Sequence, residues 1–237
     1  KSHSYRGRLG HQARRGTRRG NGPIYIGDGV TVAPNVSIEG PCYIGDGSII
    51  QAGAALRDAM SIGRRCKVGG ELEASIVHGY SNKQHDGFLG HAYVAEWVNL
   101  AADTVNSDLK NTYGTIRVPI NGVEVESGQM FVGLTIGDHS KTGIGQMFPT
   151  GAVMGFGSNV ATCEFAPKFV PSFSWLTNHR SLPYHVDRCL DVARRVMARR
   201  QVIMTRAEEA LFRSLPELAQ EIEVSAESSA RVVSSAR

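Results

Sequence analysis

The segment Tyr80–His91, "YSNKQHDGFLGH", gathers two histidines, a lysine, a glutamine and an aspartate. An imidazole that titrates near neutrality can take a proton from an attacking amine or hydroxyl and return it to a leaving group. Lys83, with Arg57 in "ALRDA", supplies charge that complements phosphate. Asp86 and Asp103 are candidates to orient a histidine, Asn99 to position an acceptor, and Asp108, Lys110 and Asn111 in "SDLKNTYG" to contact one. Where a carbonyl is the group attacked, backbone N–H groups at glycine-rich corners would stabilise the tetrahedral intermediate. His78, His91 and His139 are expected in surface or structural roles.

The elements that must hold these residues have a six-residue period. From Ile26 the hexads "IGDGVT", "VAPNVS", "IEGPCY", "IGDGSI", "IQAGAA", "LRDAMS", "IGRRCK" and "VGGELE" all begin with an aliphatic residue. Positions two to four carry the Gly, Asp, Pro and Asn of turns. Each hexad therefore reads as one short strand and one corner, and stacked hexads bury the aliphatic positions in a continuous interior. After a slip at Ala74 and Ser75 the register is expected to resume at Ile76, Asn82, Phe88, Val94 and Leu100. An interruption at about 105–135 follows, expected to be a loop that closes over a neighbouring subunit's site or packs on the coil. Five further hexads then run from "IGDHSK" to "VATCEF".

"FAPKFVPSFSW" (165–175) reads as a Pro-punctuated crossing that ends the repeat. Beyond Pro183, the apolar residues Val186, Cys189, Leu190, Ala193, Val196 and Met197 recur at helical spacing. A second helix is expected at "TRAE", where Thr205 and Glu208 make a capping box. Arg194, Arg195, Arg199 and Arg200 read as a solvated face, and residues 224–237 as a disordered tail.

Residues 1–20 hold seven of the 26 Lys and Arg and no acid, so the rest of the chain carries a net charge of −3. The basic balance thus belongs to a tail at 1–21, expected to be disordered, and nucleic acid is an unlikely partner. No apolar run approaches the roughly 18–20 residues of a membrane helix. The four cysteines have no metal-site spacing and read as buried, reduced thiols of a cytoplasmic protein, with no metal expected. The absence of an initial Met marks the chain as an expected piece of a longer one.

The period, with "SNKQHDGFLGH", "WVNLAADTVNSDLKNTYG", "GDHSKTGIG" and "PSFSW", resembles the hexapeptide-repeat acyltransferases. The acetyltransferase domain of the bifunctional enzymes that make UDP-N-acetylglucosamine is similar to it, in their sugar nucleotidyltransferase branch. This resemblance implies an all-β fold, a left-handed parallel β-helix of about six coils over 22–165, followed by a C-terminal helical appendage at 166–223. It implies a homotrimer with sites between subunits, acetyl-CoA as acyl donor, and an amino-sugar phosphate such as glucosamine-1-phosphate as acceptor. Carried onto this chain, His85 is the general base, and Arg57 holds the sugar phosphate. Asn99 and Phe88 take up substrate-binding positions, Phe88 where the family has tyrosine. Ala102, Gly143 and Gly145 lie at the cofactor. A family lysine that contacts the phosphate has no clear counterpart near Glu73 and Ala74. The spacing of His85 and His91 differs from that of the metal-binding histidine pair in γ-class carbonic anhydrases, which share the fold. The competing reading is a non-catalytic trimerising and regulatory β-helix of a sugar-phosphate nucleotidyltransferase, whose catalytic domain would lie upstream.

Overall fold

The computed structural model describes residues 17–18 and 22–234. From Ile24 to Thr177 the chain winds into a parallel β-helix with three faces. Face A stacks Ser37–Glu39, Ala55–Arg57, Glu71–Glu73 and Phe88–Gly90, with Val105–Asn106 and Met147–Phe148 beyond them. Face B is an eight-stranded sheet that begins at Ile24–Ile26 and ends at Phe169–Val170. Face C runs from Thr31–Val32 to Ser174–Thr177, and an antiparallel strand, Arg180–Pro183, closes it.

The strands of face B count eight rungs where the hexads alone give about six coils. Two causes explain the difference. Some corners are short: Val68 and Leu72 both point inward although only four positions separate them, because Gly70 turns with φ +81°. And "FAPKFVPSFSW" does not leave the repeat, since Phe169–Val170 and Ser174–Thr177 add one more strand to faces B and C.

The aliphatic hexad positions fill the interior as expected, with Ile44, Ile50, Leu56, Ile62 and Val68 each 0% exposed. After Leu72 the expected register is one residue out at Ile76, Asn82 and Phe88, and Val94 and Leu100 are buried as expected. The inward residues are Val77, Lys83 and Leu89, while Ile76 is 44% exposed. Where the chain leaves the coil after Asn106, that side chain takes over the missing ladder: its Oδ1 accepts from Gly90 N at 3.0 Å and its Nδ2 donates to Gly90 O at 2.9 Å.

The interruption contains a β-hairpin, Arg117–Ile120 with Val123–Glu126, turning at Asn121-Gly122 with φ +50° and +85°. It packs along its own coil, where Lys168 Nζ reaches Glu124 Oε2 at 3.2 Å and Gly151 N donates to Val132 O.

Two helices follow, α1 (Val186–Arg199) and α2 (Arg206–Ser234). α1 buries Cys189, Leu190, Ala193 and Met197, the expected stripe. Arg194, Arg195 and Arg199 are exposed as expected, whereas Arg200 turns onto the coil and donates to Asn82 Oδ1 at 2.6 Å. The capping box forms, Glu208 N donating to Thr205 Oγ1 at 3.1 Å and Thr205 N to Glu208 Oε2 at 2.6 Å. Thr205→Ala is expected to cost about 1 kcal/mol, read from urea unfolding. α2 runs on through Ser234, past the tail expected from 224, because that stretch holds no Gly or Pro and its Ala and Glu favour helix. In the basic tail, Thr17–Arg18 pairs with Ile38–Glu39; its other residues through Asn21 lie outside the described residues.

Candidate functional site

The polar residues singled out from the sequence collect along the two edges of face A. At the edge entered from face C, the corners of three successive rungs stack. Asp103 N donates to Asp86 O at 3.0 Å, and Gly145 N donates to Ala102 O at 2.8 Å. His85, Ala102, Gly143 and Gly145 thus share one edge, although the hairpin insertion separates the last two from the others in sequence.

His85 is exposed, and its imidazole has no hydrogen-bond partner among the described residues. Asp86 and Asp103 form no hydrogen bond with it, so neither orients the ring within this chain. Gly145 turns with φ +70° and faces open space, and Gly143 is required because a Cβ there would meet Ala161 Cβ at 2.8 Å. Asn99 points outward from face C beside this edge, accepting from Asn82 Nδ2 at 3.2 Å.

Lys83 departs from its expected role. The side chain is 1% exposed inside the coil, in the column between Val68 and Leu100. Its ammonium donates to Asp86 O at 2.8 Å, Gly69 O at 3.4 Å and His85 O. It therefore pins the His85 corner from within and is not presented to a phosphate. Burial pushes its pKa down to about 8, against the opposing pull of the Asp86 and Asp103 carboxylates.

The opposite edge of face A carries a second group. Arg57 Nη2 is held by Glu71 and, at 3.0 Å, by Glu73 Oε2, so the guanidinium expected to hold phosphate is already paired with two carboxylates. One rung further, His91 Nδ1 lies 2.8 Å from Asp108 Oδ2. The His91 ring stacks on Phe131, whose centroid is 5.1 Å away. Gly90 makes this possible, because a Cβ there would overlap the Asp108 carboxylate and the Phe88 ring, which both lie over the strand. Phe88 thus spans the face between the two edges. Lys110 donates to Thr115 O within its own loop, and Asn111 is exposed.

The structure therefore brings Asp108 to His91 and Arg57 to Glu73, pairings not anticipated from the sequence. The signal was present: Glu73, Gly90 and Asp108 follow one another at about one rung of sequence, and His91 sits at the corner between two of them. With the register placed one residue out, that alignment was hidden.

Residues 23–58 match the family described as bacterial transferase hexapeptide (six repeats). The bifunctional protein GlmU of Synechococcus elongatus is 31% identical over 148 residues, covering 62% of this chain and 28% of that protein. A bifunctional sugar-1-phosphate nucleotidylyltransferase/acetyltransferase of Sulfurisphaera tokodaii is 30% identical over 85 residues, 36% of this chain and 21% of that protein. This chain therefore spans well under half the length of these relatives. Among solved structures, AntD, an N-acyltransferase from Bacillus cereus in complex with dTDP and 3-hydroxybutyryl-CoA, is similar at 12% identity with a TM-score of 0.39, covering 76% of this chain and 93% of that one.

Proposed function

We propose that the chain transfers an acetyl group from acetyl-CoA to the amine of an amino-sugar phosphate on face A, with His85 as general base and a homotrimer completing each site. The observation that carries this reading is the stack of corners at one edge, where an exposed, unpaired imidazole stands in line with the Ala102 corner of the next rung and the corner of Gly143 and Gly145 beyond it. The hexapeptide match and the Sulfurisphaera tokodaii relative, whose name includes acetyltransferase, support it.

In the proposed step the acceptor nitrogen attacks the thioester carbonyl and its proton passes to the His85 imidazole. The C–S bond then breaks, and the thiolate recovers that proton. Because Lys83 holds the corner from inside, the base keeps its place without a surface partner. A neighbouring subunit's wall against this edge would exclude water and complete the acyl-donor site.

The pairing of Arg57 with Glu71 and Glu73 favours a second reading, in which this β-helix only assembles a nucleotidyltransferase. Thiol release from acetyl-CoA, followed with glucosamine-1-phosphate and a panel of amino-sugar phosphates, separates the two. The expected result is acceptor-dependent release that falls by about 10²–10⁴-fold in His85→Ala. Absence of release from the parent across the panel leaves the assembly reading standing.

A further inference from the structure

The trailing edge of face A holds chemistry that a proton-transfer histidine at the leading edge does not use. Glu73, His91 and Asp108 each offer one ligand atom, and these atoms all lie within 4.8 Å of one another. Around them, the carboxylates of Glu71, Glu73 and Asp108 are met by one guanidinium, Arg57, an excess of two negative charges. The side chains of Glu73 and Asp108 are only 20% and 12% exposed, so bulk water screens that excess incompletely. Arg57 Nε is buried beside them with no hydrogen-bond partner, a donor left for an acceptor oxygen that shares the cluster.

We propose that Glu73, His91 and Asp108 bind one divalent transition-metal ion. An imidazole with two carboxylates is a donor set suited to Mn²⁺ or Zn²⁺. The supports that such a site needs are in place. Arg57 holds Glu73 by Oε2, leaving Oε1 to turn to the ion. Phe131 fixes the His91 ring by stacking, and the missing Cβ of Gly90 leaves the space through which the Asp108 carboxylate reaches it. His91 Nδ1, now sharing a proton with Asp108, would give its lone pair to the metal. Three protein donors leave coordination positions open for an oxygen ligand. A phosphate on face A, which finds Arg57 occupied and Lys83 buried, would find its positive charge in the bound ion. That last service rests on the function proposed above; the binding does not.

The test is equilibrium dialysis of the chelator-stripped full chain against Mn²⁺ and, separately, Zn²⁺, with bound metal measured by mass spectrometry. One ion per chain is expected. Glu73→Gln, His91→Gln and Asp108→Asn should each weaken binding by at least about 10–100-fold, and His78→Ala should leave it unchanged. Thermal melts of the stripped variants matching the stripped parent show that lost binding is not lost folding. The metal should raise the melting temperature of the parent and not of the three variants. Zinc taken up by the exposed Cys163 thiol would survive in those variants and disappear in Cys163→Ser. The proposal is overturned by absence of saturable binding up to about 1 mM, the weak limit of specific affinity, or by binding that the three variants leave intact. Metal binding without acyl transfer would overturn the enzymatic reading alone, and acyl transfer without metal binding this inference alone.

Discussion

Lys83→Ala is expected to lower the unfolding free energy by about 3–5 kcal/mol, the range for emptying a packed interior and stranding buried polar groups. The substitution removes a side chain that is 1% exposed and deprives the carbonyls of Gly69, His85 and Asp86 of their shared donor. Lys83→Met, which refills the volume, should recover about half of that loss and so separate packing from hydrogen bonding. Urea unfolding of the three proteins gives the values. Alkaline pH supplies a further check. The unfolded lysine keeps its proton up to about 10.5, whereas the folded one releases it near 8. Between these values the unfolded state binds the extra proton, so this group makes stability rise with pH. The gain reaches about 3 kcal/mol at most. The burial-raised Cys42, Cys66 and Cys189 thiols act in the opposite sense once the unfolded thiols begin to ionise near 9. The parent should therefore gain on Lys83→Met, by about 1 kcal/mol, between pH 8 and 9. An unchanged difference would mean that the ammonium is already neutral or well solvated.

Acid is expected to loosen the seat of the helices through His139. This ring is 8% exposed, and its Nδ1 is buried without a partner. It stacks on Trp97 at 6.2 Å and meets Phe156 and Phe212 edge-on at 5.7 and 5.4 Å. Burial, reinforced by the charge of Lys141 and opposed by Glu208, lowers its pKa to about 4. In the unfolded chain it takes up a proton below about 6.5, while the folded ring stays neutral until about pH 4, so stability is lost as pH is lowered across that window. The loss approaches about 3 kcal/mol at pH 4. Asp138, whose carboxyl burial pushes upward, contributes in the opposite direction, so the comparison must be with His139→Phe and not with pH alone. That variant should lose the descending limb. Because Phe212 belongs to α2, hydrogen exchange in the helices should quicken before exchange in the coil. Equal acceleration in both would assign the acid effect elsewhere.

Both predictions concern residues whose roles a periodic pattern could not supply. The aliphatic hexads from Ile26 to Val68 announce a coil because an aliphatic residue every six positions, with a smaller one four places on, packs as one column per face of a stacked coil. The same pattern misplaced the next rungs, since shortened corners shift the phase and a lysine in an interior column looks like a surface residue. The period therefore points Ile76, Asn82 and Phe88 inward, whereas Val77, Lys83 and Leu89 are the buried residues. The hairpin is legible in "INGV", an Asn-Gly turn between alternating apolar residues, which the six-residue period by itself shows only as an interruption. The last coil was hidden by its prolines, which sit at corners where no ladder donor is required. The leading edge of the candidate site followed from wording around His85. Its trailing edge required the stacking register, because His91 and Asp108 are 17 residues apart and touch only when one rung lies on the next.

The course of α1 bears on how the molecule comes apart. A solenoid of this kind ordinarily behaves as a linear array in which each repeat senses only its immediate neighbours, so melting can begin anywhere and spread. Here one helix is fastened near Gly157 by Cys189 at its beginning, and at Asn82 and Arg65 by Arg200 at its end, rungs far apart in the stack. That strut gives the array a long-range coupling, so everything between its attachments must yield together. The rungs before Arg65 lie outside its span and keep the independence of a free end.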